Sequence, residues 1–366
     1  MNNTTQKTLQ FILLGLAMLL TLNTFAAGSN ASKAEQGKFY GAMQTEYPDW
    51  FKEGFNNFKE DIADAKAQGK RLMLVFVQNG CPYCHALVDR NLAQKDIETY
   101  TKKNFDVITI NMWGDKEVTN VNGQNFTEKS FAAALKVQFT PTIIFFTEEG
   151  KIALRLNGYL PPDKFKVAIE YVGKKLETKI PYREYLAKNY KKKAGNKAMA
   201  TEDFFLPAPH DLSPTGKTRN KGKPFAVIFE QKDCPNCDTL HSKVLVDKQT
   251  RAVIKKFDVV QLDIWSNSPI VTPEGTKTTA KAWAKQLDVK YAPTIVVFNA
   301  DGKEIIRSEA FFKSFHTQGI FAYVLEKAYI KQPSFQRYLA LRAEHYREQG
   351  QSVDIWSYDL KNPGKR

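Results

Sequence analysis

The four cysteines of this 366-residue chain fall in two Cys-x-x-Cys pairs, Cys81-Pro-Tyr-Cys84 and Cys234-Pro-Asn-Cys237. Thiols at this spacing reach one another across one helical turn, so each pair can cycle between dithiol and disulfide. Each pair follows an apolar strand-like run, 72–77 or 225–229, and opens a segment of helical spacing. Unpaired backbone N–H groups and the macrodipole at a helix start stabilise a thiolate, which lowers the pKa of the first thiol and makes it the attacking species. Cys81 and Cys234 are therefore the expected nucleophiles, with Cys84 and Cys237 resolving the mixed disulfide. Pro82 and Pro235 fall in the first turn, where a missing N–H costs nothing. Tyr83 and Asn236 are the interior residues that tune potential. His85 follows the first motif directly; an imidazolium there would favour a thiolate, and a solvent-facing ring without a role fits the spacing equally well.

Other uses of four thiols fit less well. A shared zinc site would need pairs 153 residues apart in sequence to converge from separate folding units. A permanent two-residue cross-link constrains the unfolded chain little, and an oxidising compartment would normally add longer-range disulfides. No Met-rich or His-rich tract accompanies either pair, which leaves a metal carrier without its other ligands. No metal and no cofactor is expected.

The elements that must hold these pairs repeat. Phe105-Asp-Val107 recurs as Phe257-Asp-Val259, Trp113 as Trp265, Pro141-Thr142 as Pro293-Thr294, and Gly150-Lys151 as Gly302-Lys303, all displaced by 152. Tyr182-Arg-Glu-Tyr-Leu186 matches Phe335-Gln-Arg-Tyr-Leu339, so each unit carries a matched C-terminal helical extension. Each unit reads strand, helix, strand, helix, then a hairpin and a closing helix, with a turn-rich insertion at Asn122-Gly123 or Pro273-Glu-Gly275. In the first unit a helix is expected over 49–67, with Trp50, Phe51, Phe55, Phe58 and Ile62 on its apolar side. The order implies an α/β fold with a mixed central sheet flanked by helices. The expected limits are 45–195 and 216–350, with a Pro-rich linker over 196–215 and a tail over 351–366. The aromatics of the extensions, 182–190 and 335–346, are expected to pack on their own domains.

Residues 1–28 read as a leader: Lys7 is their one charged side chain, 9–22 is strongly apolar, and Thr24-Phe-Ala-Ala-Gly28 supplies small residues for cleavage. The expected location is periplasmic or otherwise exported, with an uncleaved membrane anchor as the alternative. The formal net charge of +14 concentrates between the two units, at Lys174, Lys175, Lys179, Lys188, Lys191, Lys192, Lys193 and Lys197. Few aromatics are arranged there for base stacking, which argues against nucleic acid. A solvated face, or a site for an acidic partner, accounts for the charge.

Val75-Phe-Val-Gln-Asn-Gly-Cys-Pro-Tyr-Cys84 with Phe139-Thr-Pro-Thr142, and Ile228-Phe-Glu-Gln-Lys-Asp-Cys-Pro-Asn-Cys237 with Tyr291-Ala-Pro-Thr294, resemble the periplasmic thioredoxin-like family that includes SoxW-type thiol–disulfide interchange proteins. The resemblance covers about 70–195 and 223–345. It implies two tandem thioredoxin-like domains, with Pro141 and Pro293 as cis prolines facing the CxxC pairs. Thr140 and Ala292 would then offer backbone groups to an extended substrate. The chain departs from the common cytosolic pattern: Gly80 and Asp233 stand where Trp precedes the first Cys, and Val75 and Ile228 where a buried Asp lies six residues before it. The resolving thiol then needs another proton acceptor, for which Glu230 and Lys232 are the candidates at the second site. Thiol–disulfide exchange with exported proteins and a redox partner is the implied activity, with reduction or isomerisation leading. Net oxidation, or a non-enzymatic partner-binding module, are the alternatives.

Overall fold

The structure, a computed structural model, describes residues 35–190 and 195–360. The expected leader, Lys191 to Lys193 of the basic stretch and the end of the tail lie outside the described residues. The first repeat contains β1 (Phe39–Tyr40), α1 (Phe58–Ala67), β2 (Arg71–Val77), α2 (Pro82–Ala86), α3 (Lys95–Asn104), β3 (Phe105–Asn111), β4 (Glu117–Thr119), β5 (Asn125–Thr127), α4 (Glu128–Ala134), β6 (Thr142–Phe146), β7 (Ile152–Asn157), α5 (Pro162–Gly173) and α6 (Tyr182–Asn189). The second contains β8 (His210–Asp211), β9 (Phe225–Glu230), α7 (Pro235–Thr239), α8 (Lys248–Ile254), β10 (Asp258–Asp263), β11 (Pro269–Val271), β12 (Lys277–Thr279), α9 (Ala280–Gln286), β13 (Thr294–Phe298), β14 (Glu304–Ser308), α10 (Ser314–Leu325), α11 (Ala328–Lys331), α12 (Phe335–Glu348) and β15 (Val353–Asp354).

Each repeat builds the same mixed sheet, in the orders β3-β2-β6-β7 and β10-β9-β13-β14. The first two strands of each are parallel and the rest antiparallel. Every residue of β2 and β9 is buried, because helices cover both faces of a central strand and select near-continuous apolar sequence. The two-domain α/β architecture is thus as the repeat implies. Among the described residues no helix is long and apolar enough to cross a membrane.

One face of the first sheet packs Leu74, Phe76 and Ile144 against Phe58 and Phe131. The opposite face, with Met73, Val75 and Phe145, belongs to an apolar cluster that continues into Ile228, Val259 and Val297 of the second sheet. The domains therefore share a core. Their contact joins equivalent positions of the repeat: Asn157 donates to Glu309, and a Cβ added at Gly158 would lie 2.6 Å from that of Ala310. Contacts between equivalent residues are the mark of a two-fold relation.

Three local expectations change. The helix expected over 49–67 begins only at Phe58. Asn56 sits at φ 55° and its carbonyl accepts from Thr119, so this stretch pairs with β4 instead of coiling, and Phe55 is 98% exposed. The Pro-rich stretch between the domains is docked: β8 adds to the β11–β12 hairpin and Leu212 is fully buried. In the C-terminal stretch, β15 pairs in parallel with β1. The two ends of the described compact unit are thereby bound together.

The extensions also bridge the domains. Tyr182 and Tyr185 of α6 pack on Tyr171 of their own α5, and Phe335 and Tyr338 of α12 pack on Tyr323 of their own α10. The far flank of each helix lies on the other domain. Phe335 packs at a tilt against Phe139, and Arg183 lies over Trp265.

Candidate active sites

Both CxxC pairs sit where a buried strand ends and a helix starts. Cys81 and Cys234 occupy the N-cap positions of α2 and α7, each followed by proline. The N–H of Cys84 donates to Cys81 Sγ at 3.0 Å and that of Cys237 to Cys234 Sγ at 3.2 Å. An N–H aimed at sulfur in a helix's first turn favours the anionic form of that sulfur once the disulfide opens. Both pairs are disulfide-bonded, with Cα–Cα separations of 5.3 and 5.2 Å. The Thr140–Pro141 and Ala292–Pro293 bonds are cis.

The surroundings of the two pairs differ. Around the first, Tyr83 is buried by rings from the other domain and the C-terminal stretch: Phe312, His316 and Trp356, with centroids 5.8, 5.8 and 4.8 Å away. Met43 donates to the Gly80 carbonyl, so the N-terminal stretch lies alongside as well. A chain of amides closes the flank. Gln78 accepts from Trp113 Nε1 (2.8 Å) and donates to Thr140 Oγ1 (3.0 Å) and to Gln336 Oε1 (2.9 Å). Gln336 in turn donates to the Gln138 carbonyl. Pro82 and His85 are half-buried beside the motif, and the His85 backbone N–H donates to the Cys81 carbonyl.

The second pair opens onto a cleft lined by Cys234, Pro235, Asn236, Ala292, Arg183 and Trp265. Asn236 is half-exposed where Tyr83 is buried. Asn236 and Tyr83 also share the lining of a second cavity with Pro293 and Trp356, so the two sites meet at the domain boundary. Gly195 lies against the motif: a Cβ there would fall 2.6 Å from the Cys234 nitrogen.

Of the two groups expected to take a proton near the second site, Lys232 is exposed and Glu230 is 1% exposed. Glu230 joins a network the sequence did not reveal. His241, one turn beyond Cys237, bridges Glu230 (3.0 Å) and Glu202 (2.9 Å). Burial alone would lower the pKa of His241, but its hydrogen bonds and charge interactions with the two glutamates prevail and raise it. The equivalent positions in the first repeat are Val77 and Val88, so this network is confined to the second. Trp356, Gln336 and Arg183 are the other contributors missed from sequence. The 152–153-residue displacement aligns Arg183 with Gln336, but nothing in it says that either helix crosses over.

A model of the thioredoxin-like domain matches the chain twice, over residues 58–173 and 215–324. The chain belongs to the thioredoxin-like family. Two CxxC disulfides in thioredoxin-like folds give it oxidoreductase character of the thiol–disulfide type. Among solved structures, this thioredoxin-like chain is similar to a thioredoxin-fold protein from Helicobacter pylori, with 27% identity over 37% of this chain and 92% of the other, TM-score 0.29. It is also similar to a thioredoxin from Thermus thermophilus, with 19% identity over 37% and 87%, TM-score 0.26. A disulphide isomerase from Xylella fastidiosa Temecula1 matches with 23% identity over 31% and 80%, TM-score 0.23. Curated proteins gave no match.

Proposed function

We propose that the chain reduces or isomerises disulfides in exported proteins, as a SoxW-like member of its family whose residues 1–28 serve as an export leader. Its domains span 45–195 and 216–350 in this reading. The observation that carries it is the placement of Cys81 and Cys234 at helix starts, each sulfur facing the N–H of its partner cysteine. In the reduced protein the Cys234 thiolate attacks a client disulfide, forming a mixed disulfide and releasing one client thiolate, which takes up a proton. Cys237, losing its proton to Glu230 directly or through water, then attacks Cys234 Sγ. The second client thiolate leaves, Cys234–Cys237 closes, and two electrons have passed to the client. A dithiol partner must restore the reduced pair. Cys81 attacks and Cys84 resolves in the first domain, where Val77 stands in place of Glu230 and the Cys84 proton passes to water. Thr140 with Pro141, and Ala292 with Pro293, present backbone to an extended client segment. Pro82, Tyr83, His85, Pro235 and Asn236 tune the potentials, and the basic stretch between the domains suits an acidic partner.

The second reading is net oxidation, which the CPxC motifs and an exported location suit equally well. The reduction potential of each pair, measured with the other replaced by serine, separates the two. Reduction predicts values well below about −120 mV, the order found for a strong oxidant. A value near that figure contradicts it.

A further inference from the structure

We propose that Arg183 forms a subsite beside Cys234 for a carboxylate carried by the disulfide substrate. This deepens the reading of Cys234–Cys237 as an exchange centre and rests on it. Arg183 comes from the first domain, on α6, yet lines the cleft of the second domain's cysteines together with Trp265 and Gln231. It is 7% exposed, and its Nη1 is buried with no hydrogen-bond partner among the described residues. Its guanidinium lies 4.9 Å from the centroid of the Trp265 ring. That ring is fixed by a 2.7 Å hydrogen bond from its Nε1 to Gln231 Oε1.

The repeat supplies an internal comparison. Gln336 stands at the position equivalent to Arg183, and there the amide chain Trp113–Gln78–Gln336–Gln138 satisfies the side chain and closes the site. Thr140 adds a further acceptor to that chain; its equivalent, Ala292, has none. The second site retains the tryptophan and the glutamine but has a guanidinium at the position of the closing amide, whereas the guanidinium over the first site's tryptophan is that of Arg337, one position further along its helix. A guanidinium removed from water with a donor unfilled is costly. A carboxylate matches its planar fork and restores the lost hydrogen bonds, which a neutral amide does less well. Asp163, Asp233, Lys164 and Lys290 also line the cleft, so the preference for a carboxylate rests on the planar fork of Arg183 and not on the cleft's overall charge. The carboxylate is that of an acidic residue next to a client cysteine, or that of a low-molecular-weight thiol.

The test is calorimetric titration of the full chain with short peptides in which serine replaces cysteine, identical except for Glu or Gln beside it. Binding of the Glu peptide about tenfold more tightly is expected, the size of a charge-assisted hydrogen bond. In Arg183→Gln the preference should fall to within about twofold, while Arg183→Lys, which keeps the charge, should retain part of it. S-methylglutathione is the second arm: binding that depends on Arg183 assigns the carboxylate to a small thiol, and dependence seen with the Glu peptide assigns it to a protein client. Equal binding of the two peptides by the unsubstituted chain, or a preference the same in all three proteins, would overturn the proposal. These ligands carry no free thiol, so the result is independent of whether the cysteines exchange disulfides. Failure of exchange with an intact carboxylate preference would instead remove the catalytic reading.

Discussion

Replacing Tyr83 by Asn236 between two otherwise alike cysteine pairs changes what surrounds the sulfur more than it changes the sulfur itself. Tyr83 draws His316 of the other domain into a buried ring cluster with Phe312. Burial there lowers the pKa of His316 from 6.5 to about 4. The unfolded chain takes up this proton near pH 6.5 and the folded chain only near pH 4, so the stability tied to the neutral ring is complete above the first value and lost as pH falls to the second. By linkage the loss approaches ~3 kcal/mol. Denaturation curves between pH 7 and pH 4.5 should show this acid-side loss reduced in His316→Phe; an unchanged pH dependence would count against it. His241 acts in the opposite sense. Its raised pKa gives stability that is complete below pH 6.5 and declines as pH rises through the folded value. At this scale the pairing of the cysteines was legible in sequence, because spacing along one helix turn carries it, and the cis state of Pro141 and Pro293 was implied by the family resemblance. Arg183, His241 and Trp356 were not, since their neighbours lie on elements far apart in the chain.

The two extension helices are the elements that make the sites unequal. α12 seats Phe335, fully buried, against Phe139 beside Thr140, while Gln336 closes the amide chain. Phe335→Ala should cost about 3–5 kcal/mol and speed the reduction of Cys81–Cys84 by a small dithiol, with Cys234–Cys237 much less affected. Thermal unfolding and quenched alkylation followed by peptide mapping measure the two effects; equal acceleration at both pairs would contradict the closing role of α12. The sequence revealed these helices through their matched aromatics. It did not show that each also reaches the other domain, α12 through Phe335 and α6 through Arg183, because a helical stripe names no partner. The same limit explains Phe55: apolar spacing suggested a helix, and pairing with β4 overrode it.

For the whole molecule, the repeat predicted two domains, and the structure joins their inner sheet faces in one apolar cluster. The β1–β15 ribbon and the crossed extensions reinforce that union. The domains should therefore unfold together. Denaturant transitions followed at Trp113 and at Trp265, each in a variant retaining that tryptophan alone, should coincide; two separated midpoints would show independent domains. With the domains held together, a disulfide-bearing partner should reach the cysteines through the cleft at Cys234 more readily than past the rings over Tyr83.

The most direct measurement of this account is covalent trapping with a disulfide-containing client. Full chains carrying Cys84→Ala or Cys237→Ala are reduced, mixed with the client, quenched and separated without reductant. Both should hold a mixed disulfide, at Cys81 and Cys234 respectively, with the Cys237→Ala chain accumulating it several-fold faster. No mixed disulfide from either chain would contradict exchange chemistry, and faster trapping by Cys84→Ala would contradict the assignment of the open site to the second domain.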